Sequence, residues 1–400
     1  MTPLERVVAA IRHQEPDRVP VYPLLNGCNR RLIHASYPDW SLKPEVAFEG
    51  YVRATEDFQL DVICTLIDLS VEAADFGQAI LYPENEAAHP DYKIVNLDKL
   101  TYAGNLDNLK EVANNPNYTF VKGDICDEKL VNELFDKYDF TGVIHFAAES
   151  HVDNSITGPR PFINTNLLGT FNLLEAARIH WFDAPNTPKK GKENNRFHHI
   201  STDEVFGQLG KEGYFTETTP YAPSSPYSAS KAGSDFLVRA YHHTFGLNTT
   251  TSNCSNNYGP KQHSEKLIPT IIRNCLNLSP IPIYGNGQNI RDWLYVTDHA
   301  KAIDLIYHNG TSGETYNVGG HNERTNIQIT QTICQILDEM RPRQDGKKYA
   351  ELITFVKDRA GHDLRYAIDP AKITQKLGYK PDETFDTGII KTVKWYVDKA

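Results

Sequence analysis

Beyond residue 91 the sequence alternates short apolar runs with amphipathic stretches, and this alternation constrains the fold more than any other feature. The stretches Lys129–Tyr138 and Thr170–Ile179 have the apolar spacing of helices. Strands that alternate with helices in this way form a parallel sheet covered by helices on both faces. The sequence therefore predicts an α/β fold with a doubly wound parallel sheet. Its predicted strands are Tyr92–Leu97, Tyr118–Lys122, Gly142–Phe146, Phe197–Ser201 and Thr249–Asn253.

The pattern changes twice along the chain, and three segments are predicted from these changes. Residues 1–90 form an atypical N-terminal segment without the alternation. Residues 91–267 carry the alternating strands and helices and form the main domain. Residues 268–400 mix short strands with two helices, near Ile327–Met340 and Thr384–Val397, which is typical of a smaller lobe that mainly binds substrate.

The composition argues against several classes of protein. A formal net charge of −10 disfavours a nucleic-acid binder, since such proteins are usually basic. No apolar run approaches the roughly 18 residues of a membrane span, and the first residues lack the apolar core of a signal peptide. The six cysteines form no C-x-x-C pair, so no metal site is predicted. Scattered cysteines fit a reducing compartment, and a cytoplasmic protein is expected.

Tyr227 and Lys231 form the first candidate catalytic pair. Residues four apart on a helix share one face, so the two side chains are expected to lie together. A cationic lysine beside a phenol favours the phenolate, and a tyrosine of lowered pKa accepts a proton from a substrate hydroxyl near neutral pH. The alternative is an ordinary exposed pair, because this spacing often arises by chance.

A second candidate group, Thr202, Asp203 and Glu204, follows a predicted buried strand. Loops at the C-terminal ends of parallel strands are where such sheets bind ligands and react. Two adjacent carboxyl groups divide the work when one stays protonated as an acid and the other is an ionised base. The alternative is a strand-end turn in which the aspartate caps a helix.

Further motifs stand around these two groups, and together they resemble the dTDP-glucose 4,6-dehydratase family of the extended short-chain dehydrogenase/reductase superfamily. The resemblance covers roughly three quarters of the chain and implies a Rossmann-like sheet. The Thr-Asp-Glu triplet separates these dehydratases from epimerases of the same fold. Asn154 and Phe206 stand where the family usually has Arg and Tyr. The motifs are residues 96–105, 123–125, 147–153, 201–205, 227–231, 253–260, 265–269, 282–285, 291–293, 358–359 and 361–363.

The resemblance implies a reaction and a role for each catalytic residue. Tyr227, assisted by Lys231, would remove the C4 hydroxyl proton of the hexose while hydride passes from C4 to NAD. The C4 ketone acidifies the C5 hydrogen, which Glu204 would take, and Asp203 would protonate the C6 hydroxyl so that it leaves as water. Hydride would then return to C6, while Thr202 would hydrogen-bond the C4 oxygen.

The resemblance also implies an NAD site, a nucleotide-sugar site and a homodimer. An acid such as Asp98 at a strand end accepts from the adenosine ribose hydroxyls and disfavours NADP. Arg291 suits a diphosphate because its fork binds two oxygens at once. The residues implied to bind NAD are Asp98, Lys99, Leu100, Thr101, Asp124, Ile125, Ala147, Ala148, Thr165, Tyr227, Lys231 and Asn257. Those implied to bind the nucleotide sugar are His151, Thr202, Asn256, Lys266, Leu267, Pro282, Ile283, Tyr284, Arg291, Asn326, Asp358, Arg359 and His362.

The first ninety residues lack the Gly-rich turn with which a dinucleotide-binding sheet normally opens. Glycines in that turn let the backbone approach the pyrophosphate, which binds at the N-terminus of the following helix. The glycines before residue 91 are Gly27, Gly50 and Gly77, and their spacing gives no G-x-G-x-x-G. The cofactor site is therefore expected to be atypical at the pyrophosphate.

The N-terminal segment resembles a different family. Residues 1–12, 15–21 and 68–77 are similar to the start of the uroporphyrinogen decarboxylase and corrinoid methyltransferase family. That family folds as a (β/α)8 barrel, which needs on the order of 250 residues. A segment of about ninety residues does not close such a barrel, so decarboxylase or methyltransferase activity is not expected. The sequence has the pattern of a fusion joined near His89–Tyr92.

A doubly wound sheet places its first strand in the centre, so a missing first strand would leave two unpaired inner edges. The apolar run Val62–Ile67 is predicted to fill this place, with Ser70–Phe76 as a short following helix. Asp68 and Leu69 would then stand where the glycine turn belongs. The charge of Asp68 beside a pyrophosphate predicts weak NAD binding.

Three hypotheses of function follow from the sequence. The first is an NAD-dependent dehydratase, which Thr202, Asp203, Glu204, Tyr227 and Lys231 favour. The second is a nucleotide-sugar binder without tight NAD binding, which the missing glycine turn favours. The third is a protein of methyl transfer or porphyrin chemistry, which only the N-terminal segment suggests. Within the first class, a UDP-sugar epimerase or a related dehydratase is the nearest alternative, and product analysis separates these activities.

Overall fold

The protein is described by a computed structural model that covers residues 92–358 and 363–399, together with 33–35, 46, 48–50, 52–53, 80–81 and 89–90. The chain divides into two compact units. The first comprises Met1–Asn96 and Val112–Thr119, and the second comprises Leu97–Glu111 and Phe120–Ala400. The second unit contains all of the predicted catalytic residues.

Sixteen strands occur in the described residues. In chain order they are β1 (Ile80–Leu81), β2 (His89–Pro90), β3 (Ile94–Asp98), β4 (Tyr118–Lys122), β5 (Gly142–His145), β6 (Phe182–Ala184), β7 (Thr187–Pro188), β8 (Arg196–Thr202), β9 (Thr249–Cys254), β10 (Asn256–Tyr258), β11 (Ile281–Tyr284), β12 (Ile290–Arg291), β13 (Trp293–Tyr295), β14 (Thr315–Val318), β15 (Arg324–Thr325) and β16 (Ile353–Val356).

Ten α-helices lie in the described residues from 128 to 399. They are α1 (Glu128–Tyr138), α2 (Val152–Thr157), α3 (Arg160–Phe162), α4 (Thr170–Trp181), α5 (Pro226–Phe245), α6 (Leu267–Leu276), α7 (Val296–Asn309), α8 (Asn326–Met340), α9 (Ala371–Leu377) and α10 (Phe385–Lys399). A π-helical turn covers Ile163–Gly169, and 3-10 turns cover Leu106–Leu109, Asp203–Phe206 and Tyr349–Leu352.

The central sheet of the second unit is parallel and has the order β14-β9-β8-β5. The order is not sequential because helices carry the chain from the end of one strand to the start of another, as parallel pairing requires. Helices α1, α4 and α5 pack against this sheet around Val131, Leu174, Phe197 and Val238, and together these residues form one hydrophobic core. The predicted α/β fold with a Rossmann-like parallel sheet is confirmed.

The predicted strands and helices correspond closely to the observed ones. Each of the five predicted strands exists, with ends displaced by at most two residues. The predicted helix Thr384–Val397 begins at Phe385 and continues to Lys399. Amphipathic periodicity thus located the elements, while their ends depended on local caps.

A second hydrophobic core supports the C-terminal part of the second unit. Helices α6, α8 and α10 contribute Ile271, Ile333 and Ile389, and β11 contributes Ile281. Residues 268–400 are not all in this lobe, because β14 completes the central sheet and α7 packs beside it. The lobe and the sheet are therefore interleaved in sequence.

Among the strands that the structure describes, β5 pairs only with β8, and β3 pairs only with β4. A Rossmann order of 3-2-1-4-5-6 places one further strand between the equivalents of these two. The predicted replacement strand Val62–Ile67 and the helix Ser70–Phe76 lie outside the described residues. Within those described residues, no helix combines the length and the apolar character needed to cross a membrane.

Candidate active site

The acid-bearing turn begins where β8 ends. The chain turns directly into the 3-10 helix Asp203–Phe206, and the Glu204 backbone N–H donates to the Thr202 hydroxyl at 3.3 Å. Gly207 closes the turn with a φ of 84°. A Cβ at this glycine would lie 2.4 Å from the Ala222 carbonyl oxygen, so only glycine fits. The side chain that caps the turn is that of Thr202, which leaves the Asp203 carboxyl group for other work.

Helix α5 presents Tyr227 and Lys231 on one buried face. Ser225 and Ser228 form a reciprocal capping box, and Pro226 occupies the first helical position, so the start of the helix is fixed. Both Tyr227 and Lys231 are buried. The alternative reading of the pair as ordinary exposed residues is therefore wrong.

The Lys231 ammonium group connects α5 to β8. Its Nζ donates a hydrogen bond of 2.7 Å to the carbonyl oxygen of Ile200, two residues before Thr202. A charged donor on a buried carbonyl holds the lysine stem in one orientation. The two predicted catalytic groups, which lie on different elements, are thus brought to the same end of β8.

Asp203 is 2% exposed, and its surroundings favour the protonated form. Burial raises the pKa of Asp203 well above its ordinary value, and the negative charges of Glu204 and Asp292 raise it further. Its Oδ1 accepts from the Thr202 hydroxyl at 3.4 Å, while its Oδ2 is buried without a hydrogen-bond partner among the described residues. A buried carboxyl group whose pKa is raised, beside the partly buried Glu204, has the arrangement of an acid next to a base.

The phenol of Tyr227 is harder to ionise in the protein alone than the sequence predicted. Burial raises the pKa of Tyr227 well above its ordinary value, and the charge of Glu204 adds to this, while a hydrogen bond with Thr202 opposes it. A base role for Tyr227 at neutral pH therefore requires positive charge at the site, from Lys231 and from whatever binds beside it.

The residues predicted to contact adenosine follow β3 and β4. Asp98 ends β3, and its exposed carboxylate accepts from the Leu100 N–H at 2.6 Å. Lys99 Nζ lies 2.5 Å from Oδ2 of Asp124, which follows β4. The structure thus brings the predicted segment from Asp98 to Thr101 close to Asp124.

The other residues predicted to bind NAD differ in how much of each is accessible. Ile125 is buried in the core around α1 and α4, so its side chain serves packing. Ala147 and Ala148 are partly buried after β5, as is Thr165 in the π-helical turn. The Asn257 amide donates to a backbone carbonyl at 3.1 Å, and its Oδ1 is buried without a partner in the described chain. That oxygen needs a donor, which a bound ligand can supply.

Arg291, predicted to bind a diphosphate, is buried at the edge of the substrate lobe. Its guanidinium donates to the carbonyl oxygens of Ile290 at 2.7 Å and Asp363 at 3.0 Å. Its carbon centre also lies 4.2 Å from the ring centre of Tyr366. These contacts fix the plane of the guanidinium in advance of any ligand.

The predicted residues near α2 and α6 also meet. His151 caps α2, and its Nε2 lies 3.9 Å from Glu265. Lys266, next to Glu265, donates to the carbonyl oxygen of Ser150 at 3.1 Å. Leu267 begins α6 directly after it. This contact ties the loop after β5 to the start of the substrate lobe.

The remaining predicted substrate residues lie in the C-terminal part of the second unit or at its border. Pro282 and Tyr284 are exposed on β11, whereas the intervening Ile283 points into the lobe core, as alternation along a strand requires. Asn256 begins β10 and Asn326 begins α8. Asp358 is exposed, and Arg359 and His362 lie outside the described residues.

Comparison with known proteins agrees with this geometry. The profile of the GDP-mannose 4,6 dehydratase family matches residues 85–392. The dTDP-glucose 4,6-dehydratase of Neisseria meningitidis serogroup B is 56% identical over 308 residues, which are 76% of this chain and 86% of that protein. The dTDP-glucose 4,6-dehydratase 1 of Escherichia coli K12 is 55% identical over 316 residues, 77% of this chain and 86% of that one.

The chain belongs to the dTDP-glucose 4,6-dehydratase family. Solved structures of the family have the same fold. The dTDP-glucose 4,6-dehydratase of Streptomyces venezuelae, solved with NAD and TYD bound, superimposes with a TM-score of 0.69 at 42% identity over 77% of this chain and 88% of that one. The Bacillus anthracis enzyme in complex with NAD gives a TM-score of 0.67 at 42% identity, over 77% and 88% of the two chains.

The N-terminal resemblance is also supported by comparison. A second profile, that of uroporphyrinogen decarboxylase, matches residues 2–121. It overlaps the dehydratase profile, which begins at residue 85. The sequence placed the end of this resemblance earlier, near residue 90, because the motifs it used stop at Gly77.

Two buried polar residues that contact the elements carrying the site were not singled out by the sequence analysis. Asn166, in the π-helical turn, bonds the Glu149 backbone N–H and carbonyl at 2.8 and 3.0 Å and donates to the Ser230 hydroxyl at 2.8 Å. Asp235 lies one turn beyond Lys231 on α5 and is buried. The spacing of Tyr227, Lys231 and Asp235 at intervals of four was the available signal.

Proposed function

We propose that the protein is an NAD-dependent dTDP-glucose 4,6-dehydratase, a hydro-lyase that converts dTDP-glucose to dTDP-4-keto-6-deoxyglucose. The observation that carries the proposal is the pairing of the buried Asp203, whose pKa burial raises well above its ordinary value, with the partly buried Glu204, next to the Tyr227–Lys231 face of α5. Elimination of water requires an acid at the leaving oxygen and a base at the neighbouring carbon. An epimerase has no use for this pair.

The residues of the site divide the reaction among them. Tyr227 takes the proton of the C4 hydroxyl, and Thr202 hydrogen-bonds the same oxygen. The C4 ketone makes the C5 hydrogen acidic, and Glu204 removes it. Asp203 gives its proton to the C6 hydroxyl, which leaves as water. When bound, NAD supplies a reversible hydride acceptor, so that the hydrogen from C4 ends on C6.

Two groups of this chain are suited to contact NAD. Asp98 presents an exposed carboxylate at a strand end, where ribose hydroxyls are bound in Rossmann-like sheets. Asn257 is the second residue of β10, three residues after Cys254 at the end of β9. Its Oδ1 is buried and has no hydrogen-bond partner in the described chain. The positive charge of an oxidised nicotinamide also favours the Tyr227 phenolate, which burial otherwise opposes.

The nucleotide-sugar part of the proposal rests on the substrate lobe. Arg291 is held flat against Tyr366 with its donors in one plane, which suits a diphosphate. Lys266 and His151 add potential donors at the start of α6 and α2. The choice of thymidine over other bases follows from family membership.

A homodimer in the cytoplasm completes the proposal. Dimerisation is expected from the resemblance to the family. The four cysteines that the structure describes, Cys126, Cys254, Cys275 and Cys334, are all free thiols. Free thiols fit a reducing compartment. Sedimentation of the purified chain tests the dimer, and fractionation of cells tests the location.

Isotope labelling tests the proposed reaction most directly. The full chain is incubated with NAD and dTDP-glucose carrying deuterium at C4, and the product is examined by NMR. The proposal expects a 4-keto-6-deoxy sugar with the deuterium on C6. In D2O with unlabelled substrate, one solvent deuterium is expected at C5, because Glu204 exchanges its proton. Recovery of the C4 epimer, or loss of the C4 label to solvent, would contradict the proposal. Tyr227→Phe is the inactive control.

A second candidate function is a nucleotide-sugar binder without tight NAD binding. The observation that favours it is the absence of a Gly-rich turn before residue 91 in the sequence. The two are distinguished by denaturing the purified protein, quantifying released NAD and titrating NAD into the remainder. Near-stoichiometric NAD supports the dehydratase. No NAD and no binding at millimolar concentration support the binder.

A further inference from the structure

Asp235 is a buried carboxylate that the dehydration chemistry does not use. It lies on the face of α5 that carries Tyr227 and Lys231, at the next position in the series of four. Its relative exposure is 6%. A carboxylate buried to this extent is costly unless its oxygens accept strong hydrogen bonds or face a cation. Each of its oxygens is therefore expected to accept a hydrogen bond or to lie near a positive charge.

The Asp235 carboxylate bonds two residues of β8. Its Oδ2 accepts from the Ser201 hydroxyl at 2.8 Å, and its Oδ1 lies 3.1 Å from Nε2 of His199. Ser201 is adjacent to Thr202, with which the acid-bearing turn begins. Lys231 bonds the carbonyl of Ile200, between these two partners. Helix α5 is thus joined to three successive residues of the strand that ends in the acid pair.

A third donor reaches the same carboxylate from outside the helix and the strand. The Tyr221 hydroxyl, in the segment before α5, donates to Oδ2 at 2.9 Å. Asp235 therefore faces His199 and Ser201 of β8, Tyr221 of the preceding segment and Lys231 of its own helix. Of these groups, Lys231 carries the positive charge, since burial lowers the pKa of His199 well below its ordinary value.

The charge of Asp235 opposes the tendency of Lys231 to lose its proton. Burial lowers the pKa of Lys231, and the negative charge of Asp235 is the strongest influence in the opposite direction. Cys254, on the neighbouring strand β9, acts in the same sense but more weakly. Lys231 favours the phenolate of Tyr227 only while it is a cation. Without the charge of Asp235, burial would favour neutral Lys231, which does not stabilise the phenolate.

We propose that Asp235 is a positioning residue of the reaction, which holds α5 in register with β8 and keeps Lys231 charged beside Tyr227. This inference rests on the proposed dehydratase function. It assigns Asp235 no contact with substrate or cofactor. Its effect reaches the hexose only through Lys231 and Tyr227.

The pH profile of kcat/KM for Asp235→Asn tests the proposal. The amide has nearly the shape of the carboxylate and still accepts from Ser201 and Tyr221, so the variant mainly removes charge. The ascending limb, which reports deprotonation of the base, is expected to move to higher pH by about one unit. At neutral pH this corresponds to a loss of about tenfold in rate, with KM for dTDP-glucose within about twofold of the wild-type value. An unshifted limb would overturn the proposal.

Asp298→Asn is the matched control. Asp298 is a buried carboxylate of α7 that accepts from the backbone N–H groups of Asp382 and Glu383 at 3.1 and 3.0 Å, away from α5. The Asp298→Asn variant makes the same carboxylate-to-amide change at a different place. It is expected to lower the stability of the protein and to leave the ascending limb of the pH profile unshifted. A shift of equal size in this control would overturn the proposal.

Two further measurements keep the inference separate from the proposed function. If Asp235→Asn does not fold, Tyr221→Phe removes one donor from the same carboxylate and should move the limb in the same direction by less.

If the wild-type chain turns over no dTDP-glucose with added NAD, the proposed function fails, and the role of Asp235 is then read from tyrosinate absorbance. The Tyr227 signal, obtained by subtracting Tyr227→Phe, should titrate at higher pH in Asp235→Asn. An unchanged titration would overturn the inference alone.

Discussion

The guanidinium of Arg291 lies over the ring of Tyr366, with 4.2 Å between its carbon and the ring centre. Tyr366 is in turn hydrogen-bonded through its hydroxyl to the carboxylate of Asp363, which also accepts from the Ser224 hydroxyl at 2.5 Å. Ser224 immediately precedes the capping serine of α5. The group expected to bind the diphosphate is therefore linked to the start of the helix that carries the catalytic tyrosine.

This link predicts a specific loss of substrate binding in Tyr366→Leu. Without the ring, Arg291 loses a contact worth about 1 to 2 kcal/mol when it is shielded from water, so KM for dTDP-glucose should rise roughly tenfold. Steady-state kinetics measure the change, and kcat should stay within about threefold. Tyr366→Phe keeps the ring and loses the hydroxyl, so its KM should lie between the two. A fall in kcat with an unchanged KM would contradict the assignment of Arg291 to substrate binding.

Asp203→Asn should stop the reaction after oxidation. The amide has no proton to give to the C6 oxygen, so complete turnover should fall by on the order of 10²- to 10⁴-fold. Because the oxidation step does not need Asp203, absorbance of reduced cofactor should accumulate when substrate is added. Glu204→Gln provides the comparison. In D2O, the Asp203→Asn variant should still exchange the C5 hydrogen of the ketosugar, whereas Glu204→Gln should not.

The charge of Asp235 should carry a measurable cost in stability. Burial raises the pKa of Asp235 from the ordinary 3.8 to about 6, while hydrogen bonds from Ser201 and Tyr221 and the charge of Lys231 oppose the rise. A carboxyl whose pKa is raised on folding contributes stability below its unfolded pKa, and this contribution is lost as the pH rises through its folded pKa. The asparagine of Asp235→Asn does not titrate. The free energy of unfolding of the variant, relative to that of the wild type, should therefore increase by on the order of 1 kcal/mol when the pH is raised from 5 to 8. Urea unfolding of both proteins at the two pH values measures the difference, and a change of opposite sign would contradict the burial of this charge.

The cofactor preference should depend on Asp98. Its exposed carboxylate would repel the 2′-phosphate of NADP and accept from the ribose hydroxyls of NAD. Asp98→Asn should reduce the ratio of NAD to NADP affinity by about tenfold or more, since a like-charge repulsion and a charged hydrogen bond are both lost. Fluorescence titration with the two cofactors measures the ratio. Asp107→Asn is the control and should leave the ratio unchanged, because Asp107 is an exposed aspartate of the 3-10 turn Leu106–Leu109 that pairs with Lys110 at the end of the same turn.

Gly207→Ala should destabilise the turn that carries Asp203 and Glu204. The glycine has a φ of 84°, and an added Cβ would lie 2.4 Å from the Ala222 carbonyl oxygen. Backbone strain of this kind costs about 1 to 3 kcal/mol, and the close approach adds to it. Gly210→Ala is the control, because no atom lies within 4 Å of a Cβ there. Thermal unfolding should separate the two variants by several degrees, and equal unfolding temperatures would contradict the close packing of the turn.

The sequence predicted the parts of this protein that obey local rules. Apolar periodicity located five strands between Ile94 and Cys254 and the two helices that begin near Lys129 and at Thr170, because a parallel sheet buried on both faces leaves a strong pattern. The Tyr227 and Lys231 pair followed from the spacing of a helix face. The sequence predicted a lowered pKa for Tyr227, whereas the structure raises it. This difference could not be predicted, because burial and the position of Glu204 are properties of the assembled site.

Other features depended on residues far apart in sequence. Asp363 and Ser224 are 139 residues apart, and no periodicity connects them. Asn166 and Ser230 meet across 64 residues. The interleaving of β14 with the substrate lobe was also not predictable from composition, since a four-residue strand, Thr315–Val318, carries little signal. The predicted strand Val62–Ile67 remains a prediction.

Tyr227 is the second residue of its helix, at the end of an element where backbone hydrogen bonds open most often. Ser225, Ser228 and Pro226 make that opening rarer, since each satisfies or removes a donor of the first turn. Each such opening would carry the phenol away from Thr202 and interrupt turnover without unfolding the protein. We therefore expect this one turn of helix to limit the lifetime of the active state at elevated temperature, and protection of the Ser228 amide against hydrogen exchange would report the opening before any loss of global structure.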